Sequence, residues 1–174
     1  DHETGFQPTP ALLDELIRRH GSIDGVVVAS PANPTGSLLD ASGLATLAGW
    51  CHAHGTRLIA DEIYHGIVYG PAAATALAST DAAVVVNSFS KYWAMTGWRI
   101  GWLVLPAELL RSVECLAQNF YISPPSLSQH AAIAAFDCAE IVASHVARYA
   151  VNRAILLAAL PRAGFADTAP ADGA

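Results

Sequence analysis

A single lysine, Lys91, occurs among 174 residues, against eight arginines. A guanidinium keeps its proton in a protein, whereas a lysine amine can be tuned into a nucleophile or a base. A bias toward arginine explains the missing surface lysines. It does not explain why the survivor follows the apolar run 83–86, at the end of Asn87-Ser88-Phe89-Ser90. Eight residues on, Arg99 lies in Gly97-Trp98-Arg99-Ile100-Gly101, and its fork of donors suits phosphate or carboxylate oxygens. Asp61 closes the run 57–60 and leads into Glu62-Ile63-Tyr64, while Asn33 lies in Ser30-Pro31-Ala32-Asn33-Pro34-Thr35-Gly36, after the run 25–29. Alone, each is weak: Asp is common in caps, and Asn-Pro-Thr-Gly is good turn chemistry in any protein.

The elements that must position these groups are readable. Thr9-Pro10 predicts an N-cap with proline at the first helical position, Leu12, Leu13, Leu16 and Ile17 form one stripe, and Gly21 ends the helix. Residues 25–29 are a short β-branched run of the kind covered on both faces. A second helix is expected over 40–54, with Leu44, Leu47, Ala48 and Cys51 on one face and Gly55 as its stop. Strands follow at 57–60, 82–86 and 99–105; helices are expected over 107–120, 126–138 and 140–160. Strands alternating with helices imply a parallel α/β sheet with helices on its faces. Such a sheet binds ligands beyond the carboxyl ends of its strands, which is where Asn33, Asp61/Tyr64 and Ser88/Ser90/Lys91 fall.

Composition narrows the classes. Apolar residues make up 53% and charged residues 14%, so a packed core rather than disorder is expected. Net charge of −6 without a basic cluster argues against nucleic acid. No apolar run is long enough to span a membrane, and Asp1-His2-Glu3 is the wrong start for a signal peptide; a cytoplasmic protein is expected. Cys51, Cys115 and Cys138 read as buried free thiols. His52 and His54 fall on different sides of a helix, so no metal site is expected.

The stretch SFSKYWAMTGWRIGW, residues 88–102, resembles the lysine signature of fold-type I pyridoxal-phosphate (PLP) enzymes, most closely the class I aminotransferases. SPANPTG at 30–36 and DEIY at 61–64 match the same family's patterns without gaps. They occur in the family's order, with 28 residues from Asn33 to Asp61 and 30 from Asp61 to Lys91. The resemblance covers nearly the whole chain and weakens after about residue 126. It implies the large domain of a fold-type I enzyme, a mostly parallel sheet covered by helices. Residues 1–138 would be part of that PLP-binding domain, 139–163 a long connecting helix, and 164–174 the start of a truncated small domain.

PLP needs an amine for its aldehyde, an acid at its ring nitrogen, donors to its phenolic oxygen and a phosphate anchor. The resemblance implies that Lys91 forms the Schiff base and carries the substrate's proton. Asp61 would then hold the ring nitrogen, Tyr64 and Asn33 would reach the phenolic oxygen, and Arg99, Ser88 and, more weakly, Ser90 would hold the phosphate. Glu62 is read as structural, and Trp93, Trp98 and Trp102 as packing. The reaction implied is transfer of an amino group from an amino acid to a 2-oxo acid, in a homodimer. Family members are roughly twice as long, with an upstream phosphate-binding turn and stacking aromatic and a downstream arginine for the substrate carboxylate. The isolated chain is therefore expected to bind cofactor poorly and to be inactive. Three alternatives stay open: a carbon–sulfur lyase or another PLP enzyme of the same fold, the aminotransferase-like sensor domain of a transcription regulator, and a degenerate relative without catalysis.

Overall fold

A computed structural model of the chain describes residues 2–165, 168, 169 and 171–174. Of the expected small-domain segment, Ala166, Asp167 and Pro170 lie outside the described residues, as does Asp1. Helix α1 (Pro10–His20) starts where Thr9 accepts the Leu12 N–H on its hydroxyl, and ends at Gly21, whose N–H bonds the Ile17 carbonyl. Helix α2 (Ala41–Ala53) is capped by Asp40, whose carboxylate accepts the Gly43 N–H at 2.6 Å. That backbone bond, with a smaller contribution from the Ser42 hydroxyl, holds the Asp40 carboxyl below its ordinary pKa. The cap's stabilisation is therefore present above the ordinary carboxylate pKa and fades as pH falls through the lowered one.

Four strands, β1 (Gly25–Ala29), β2 (Arg57–Asp61), β3 (Val84–Ser88) and β4 (Gly101–Val104), form one sheet in sequence order. β1, β2 and β3 are parallel; β4 runs antiparallel to β3. The expected parallel sheet thus holds except at β4. The reason is local: no crossover helix lies between β3 and β4, only a loop with one 3-10 turn at Thr96–Trp98. A parallel return needs a longer crossover.

Register decides which side chains meet. Val26 pairs with Leu58, and Val28, Ala60 and Val85 form the next row. These residues, with Leu13 of α1 and Leu44, Leu47 and Cys51 of α2, make the main core. The opposite face carries the rows Val27–Ile59–Val84 and Ala29–Asp61–Val86, with Ser88 two residues further along β3. Val27 is 70% exposed, so β1 is covered on one face rather than two among the described residues. A five-residue apolar run does not reveal how many of its faces are covered.

Helices α3 (Ala107–Phe120), α4 (Ser126–Ala135) and α5 (Ala139–Ala159) follow. α4 supplies Ala132 and Ala135 to a second core with Phe89 and Met95. α3 buries no residue, and Phe120, Ile122 and Leu127 are largely exposed. Of the three expected buried thiols only Cys51 is buried, and burial raises its pKa; Cys115 and Cys138 are half-exposed, and all three are free. No described helix is long and apolar enough to cross a membrane. Leu44 is 1% exposed, and Leu44→Ala should cost about 2–5 kcal/mol of unfolding free energy, read by denaturant titration.

Candidate active site

Beyond Ala29 the β1–β2 ladder continues for one bond, Ser30 N–H to the Asp61 carbonyl. The chain then turns, with Ala32 N–H on the Ser37 carbonyl and Gly36 N–H on Ala32. Two polar residues brace this turn. The Ser30 hydroxyl accepts the Leu39 N–H at 2.9 Å, and the buried Gln7 amide donates to the Ala29 carbonyl at 3.0 Å and the Ser37 hydroxyl at 3.2 Å. So braced, the turn holds Asn33 out at the surface, where its Nδ2 donates to the Tyr64 hydroxyl at 2.9 Å.

The segment after β2 also keeps one ladder bond, Glu62 N–H to the Val86 carbonyl, before curling. One Asp61 carboxylate oxygen accepts the Ile63 N–H at 3.0 Å; the other has no partner among the described residues. Bonds from His65 N–H to Glu62 and from Ile67 N–H to Tyr64 close the curl. Gly66 has φ +92°, and a Cβ there would lie 2.5 Å from the Tyr92 ring, next to Lys91. Gly66→Ala should therefore destabilise the protein by about 1–3 kcal/mol. Denaturation would read that loss, and Tyr92 fluorescence would report displacement of the lysine turn.

After β3, the Ser88 hydroxyl lies 2.9 Å from the Ser90 hydroxyl, 2.9 Å from the Ser90 N–H and 3.2 Å from the Ile100 carbonyl. Phe89 is buried against Trp93, Trp102 and Phe136, ring centroids 4.8–5.4 Å apart. This aromatic wedge anchors the turn that presents Lys91. The Lys91 amine sits 5.7 Å from the centre of the Tyr64 ring and has no carboxylate partner among the described residues. Gly101 packs where a Cβ would lie 2.5 Å from the Asn87 carbonyl, which keeps β4 close against the end of β3.

Tyr64, Ser90 and Lys91 open onto a cleft of about 660 Å³ whose far wall is the C-terminal half of α5. There Arg153 lies 5.2 Å from the centre of the Tyr69 ring and donates from Nε to the Ala171 carbonyl. Burial raises the Tyr69 pKa, and the Arg153 charge opposes that rise. Asn33 adjoins a smaller hollow that also includes Tyr64. Asp61 shares a sheet face with Ser88 rather than lining the cleft. Arg99 departs furthest from expectation. It precedes β4 instead of starting it, has left-handed backbone (φ 51°, ψ 52°), and lines a groove between β4 and α3 while Nη1 donates to the Thr96 carbonyl at 2.8 Å. The structure thus joins Asn33, Tyr64 and Lys91 directly and pairs Ser88 with Ser90, whereas Arg99 faces a different groove. Gln7 and His65, which brace the turns, have no local sequence signal.

Comparisons with known proteins bear on the same residues. The family model described as aminotransferase class I and II matches residues 1–173. A valine–pyruvate aminotransferase of Mycobacterium tuberculosis is 51% identical over 176 residues, 99% of this chain and 45% of that protein. An aspartate aminotransferase of Geobacillus stearothermophilus is 36% identical over 76% of the chain and 34% of its own length. The crystal structure of an aminotransferase from Mycobacterium tuberculosis superposes with a TM-score of 0.94 at 50% identity, over the whole chain and 45% of that structure. The chain therefore spans under half the length of these relatives. With three strand-end turns carrying the expected motifs and a family match along the whole sheet, this chain belongs to the class I and II aminotransferases and has the fold-type I architecture.

Proposed function

We propose that the protein carrying this chain moves an amino group from an amino acid to a 2-oxo acid with the aid of PLP. The observation that carries this reading is the Lys91 amine: the chain's one lysine, without an ionic partner among the described residues and facing a tyrosine that Asn33 already holds by its hydroxyl. The residues present fit the cofactor. Lys91 would be its covalent anchor, Tyr64 and Asn33 its phenolic-oxygen donors, and the uncommitted Asp61 oxygen its ring-nitrogen partner. Ser88 would hold its phosphate, with Ser90 at the margin; Arg99, which lines the groove between β4 and α3, would join them by swinging its guanidinium away from the Thr96 carbonyl. Bound there, PLP supplies an electron sink for negative charge at the substrate's α-carbon. Lys91 would act as the base that takes the proton from the substrate's α-carbon and carries it to the carbon on the other side of the imine nitrogen. Asp61 keeps a proton at the ring nitrogen throughout.

The remaining assignments extend the same reading. Residues 1–138 belong to the cofactor domain, 139–163 to a connecting helix that includes α5, and 164–174 to a second domain. The whole protein is a cytoplasmic homodimer; the exposed Phe120, Ile122 and Leu127 are surface that a further segment or a second copy would cover. Residues 1–174 alone hold only part of the cofactor's contacts and bind PLP poorly.

Half-reactions test the activity. PLP-loaded protein given valine or aspartate, the donors named for the relatives, should convert its cofactor to the amino form once, and a 2-oxo acid should restore it. Release of a carbon–sulfur cleavage product without oxo-acid exchange would show a lyase instead.

A further inference from the structure

Glu62 and His65 form a second tie between the turns that carry Asn33 and Tyr64, beneath the Asn33–Tyr64 bond itself. Glu62 is buried, with one carboxylate oxygen accepting the Ala76 N–H at 2.8 Å. Ala76 is fully enclosed in the main core, so this carboxylate is tied to that core. Its other oxygen lies 3.4 Å from His65 Nδ1. On the far side of the ring, His65 Nε2 lies 3.1 Å from the Ser30 carbonyl. A carbonyl only accepts, so Nε2 carries a hydrogen and donates it, while the Glu62 carboxylate packs against the Nδ1 side of the ring. The chain of contacts runs from the core through Ala76, Glu62 and His65 to Ser30, three residues before Asn33.

We propose that His65 is a positioning residue: clamped by Glu62, it locks the turn after β1 onto the turn after β2 and so sets the Asn33–Tyr64 pair. Backbone pairing between these segments ends at the Ser30–Asp61 bond. Beyond it, the side-chain ties between the two turns among the described residues are His65–Ser30 at the base and Asn33–Tyr64 at the tip. Residues 172–174 also bridge the two segments by backbone bonds, from Asp172 and Gly173 N–H to the Gly36 carbonyl, from Ala174 N–H to Ile67 and from Tyr69 N–H to Asp172, but they do so at Gly36, Ile67 and Tyr69. Without the base tie, the Asn33–Tyr64 pair itself is left with one side-chain bond at an exposed position. Its donors then lose their fixed aim at whatever oxygen they serve.

The proposal rests on the PLP reading for its effect on chemistry, but not for the tie itself, and the test separates the two. The whole protein is prepared as His65→Ala, as His65→Gln, whose amide can still donate to Ser30, and as each combined with Asn33→Ala. In cofactor-free protein, the losses in melting temperature from His65→Ala and Asn33→Ala should be clearly non-additive. In PLP-loaded protein, loss of aimed hydrogen bonds worth about one kcal/mol should raise the pH midpoint of the visible absorbance by about 0.5–1 unit and lower kcat about 3- to 10-fold, with KM little changed. His65→Gln should recover most of both effects, and Asn33→Ala should leave little for His65→Ala to add. A His65→Ala protein that melts lower yet keeps the wild-type midpoint and kcat would overturn the positioning role, as would fully additive losses in the cofactor-free protein. Should His65→Ala fail to fold, Glu62→Gln, which keeps an acceptor for Ala76 but loses the one for His65, must show the same spectral shift. If the wild type develops no visible absorbance with PLP, the cofactor reading fails, and the additivity of melting temperatures still decides whether the tie exists.

Discussion

Lys91→Ala in the whole protein is expected to abolish the visible absorbance of lysine-bound PLP and to lower turnover by about four orders of magnitude. Two functions are lost together. In the proposed reaction the amine is both the covalent anchor of the cofactor and the base that moves the substrate's proton. Lys91→Arg should rescue neither, because a guanidinium cannot give up its proton near neutral pH. Folding should survive either change, since Lys91 is half-buried, forms no ion pair among the described residues and meets Tyr64 through its ring face. Unchanged circular dichroism with lost absorbance is the expected combination. A yellow, active Lys91→Ala protein would contradict the role.

Asp61→Ala is expected to leave some cofactor bound while slowing proton abstraction. A carboxylate beside a ring nitrogen favours its protonated form by about 1–3 pKa units, so removal should cost about 10- to 1000-fold in the single-turnover rate. Asp61→Asn should be nearly as slow, because it keeps the shape and the bond to Ile63 N–H but loses the charge. The structural cost should be small: Asp61 is partly exposed at the end of β2, and one local hydrogen bond to Ile63 is at stake. Near-normal single-turnover rates in both variants would count against the ring-nitrogen assignment.

Much of this arrangement was legible because it is local. Thr9, Asp40 and Gly21 mark helix ends through bonds within four residues, and the strand ends are fixed by where apolar runs meet polar motifs. The direction of β4 was not legible, since it depends on how the chain after Lys91 turns back, with no helix to signal it. Arg99 reads equally well as the first residue of a strand or the last of a turn, and its left-handed backbone appears only in three dimensions. Gln7 and His65 reach partners 22 and 35 residues away; no periodicity or spacing carries such a contact. β1 and α3 show the converse limit. Their apolar patterns are those of covered elements, but the covering surface is not among the described residues.

The most direct measurement is chemical trapping. The whole protein is incubated with PLP, reduced with borohydride, digested and mapped by mass spectrometry. A stable phosphopyridoxyl group on the peptide containing Lys91 is the expected result. A cofactor found on another amine, with the Lys91 peptide unmodified, would contradict the assignment on which the rest stands.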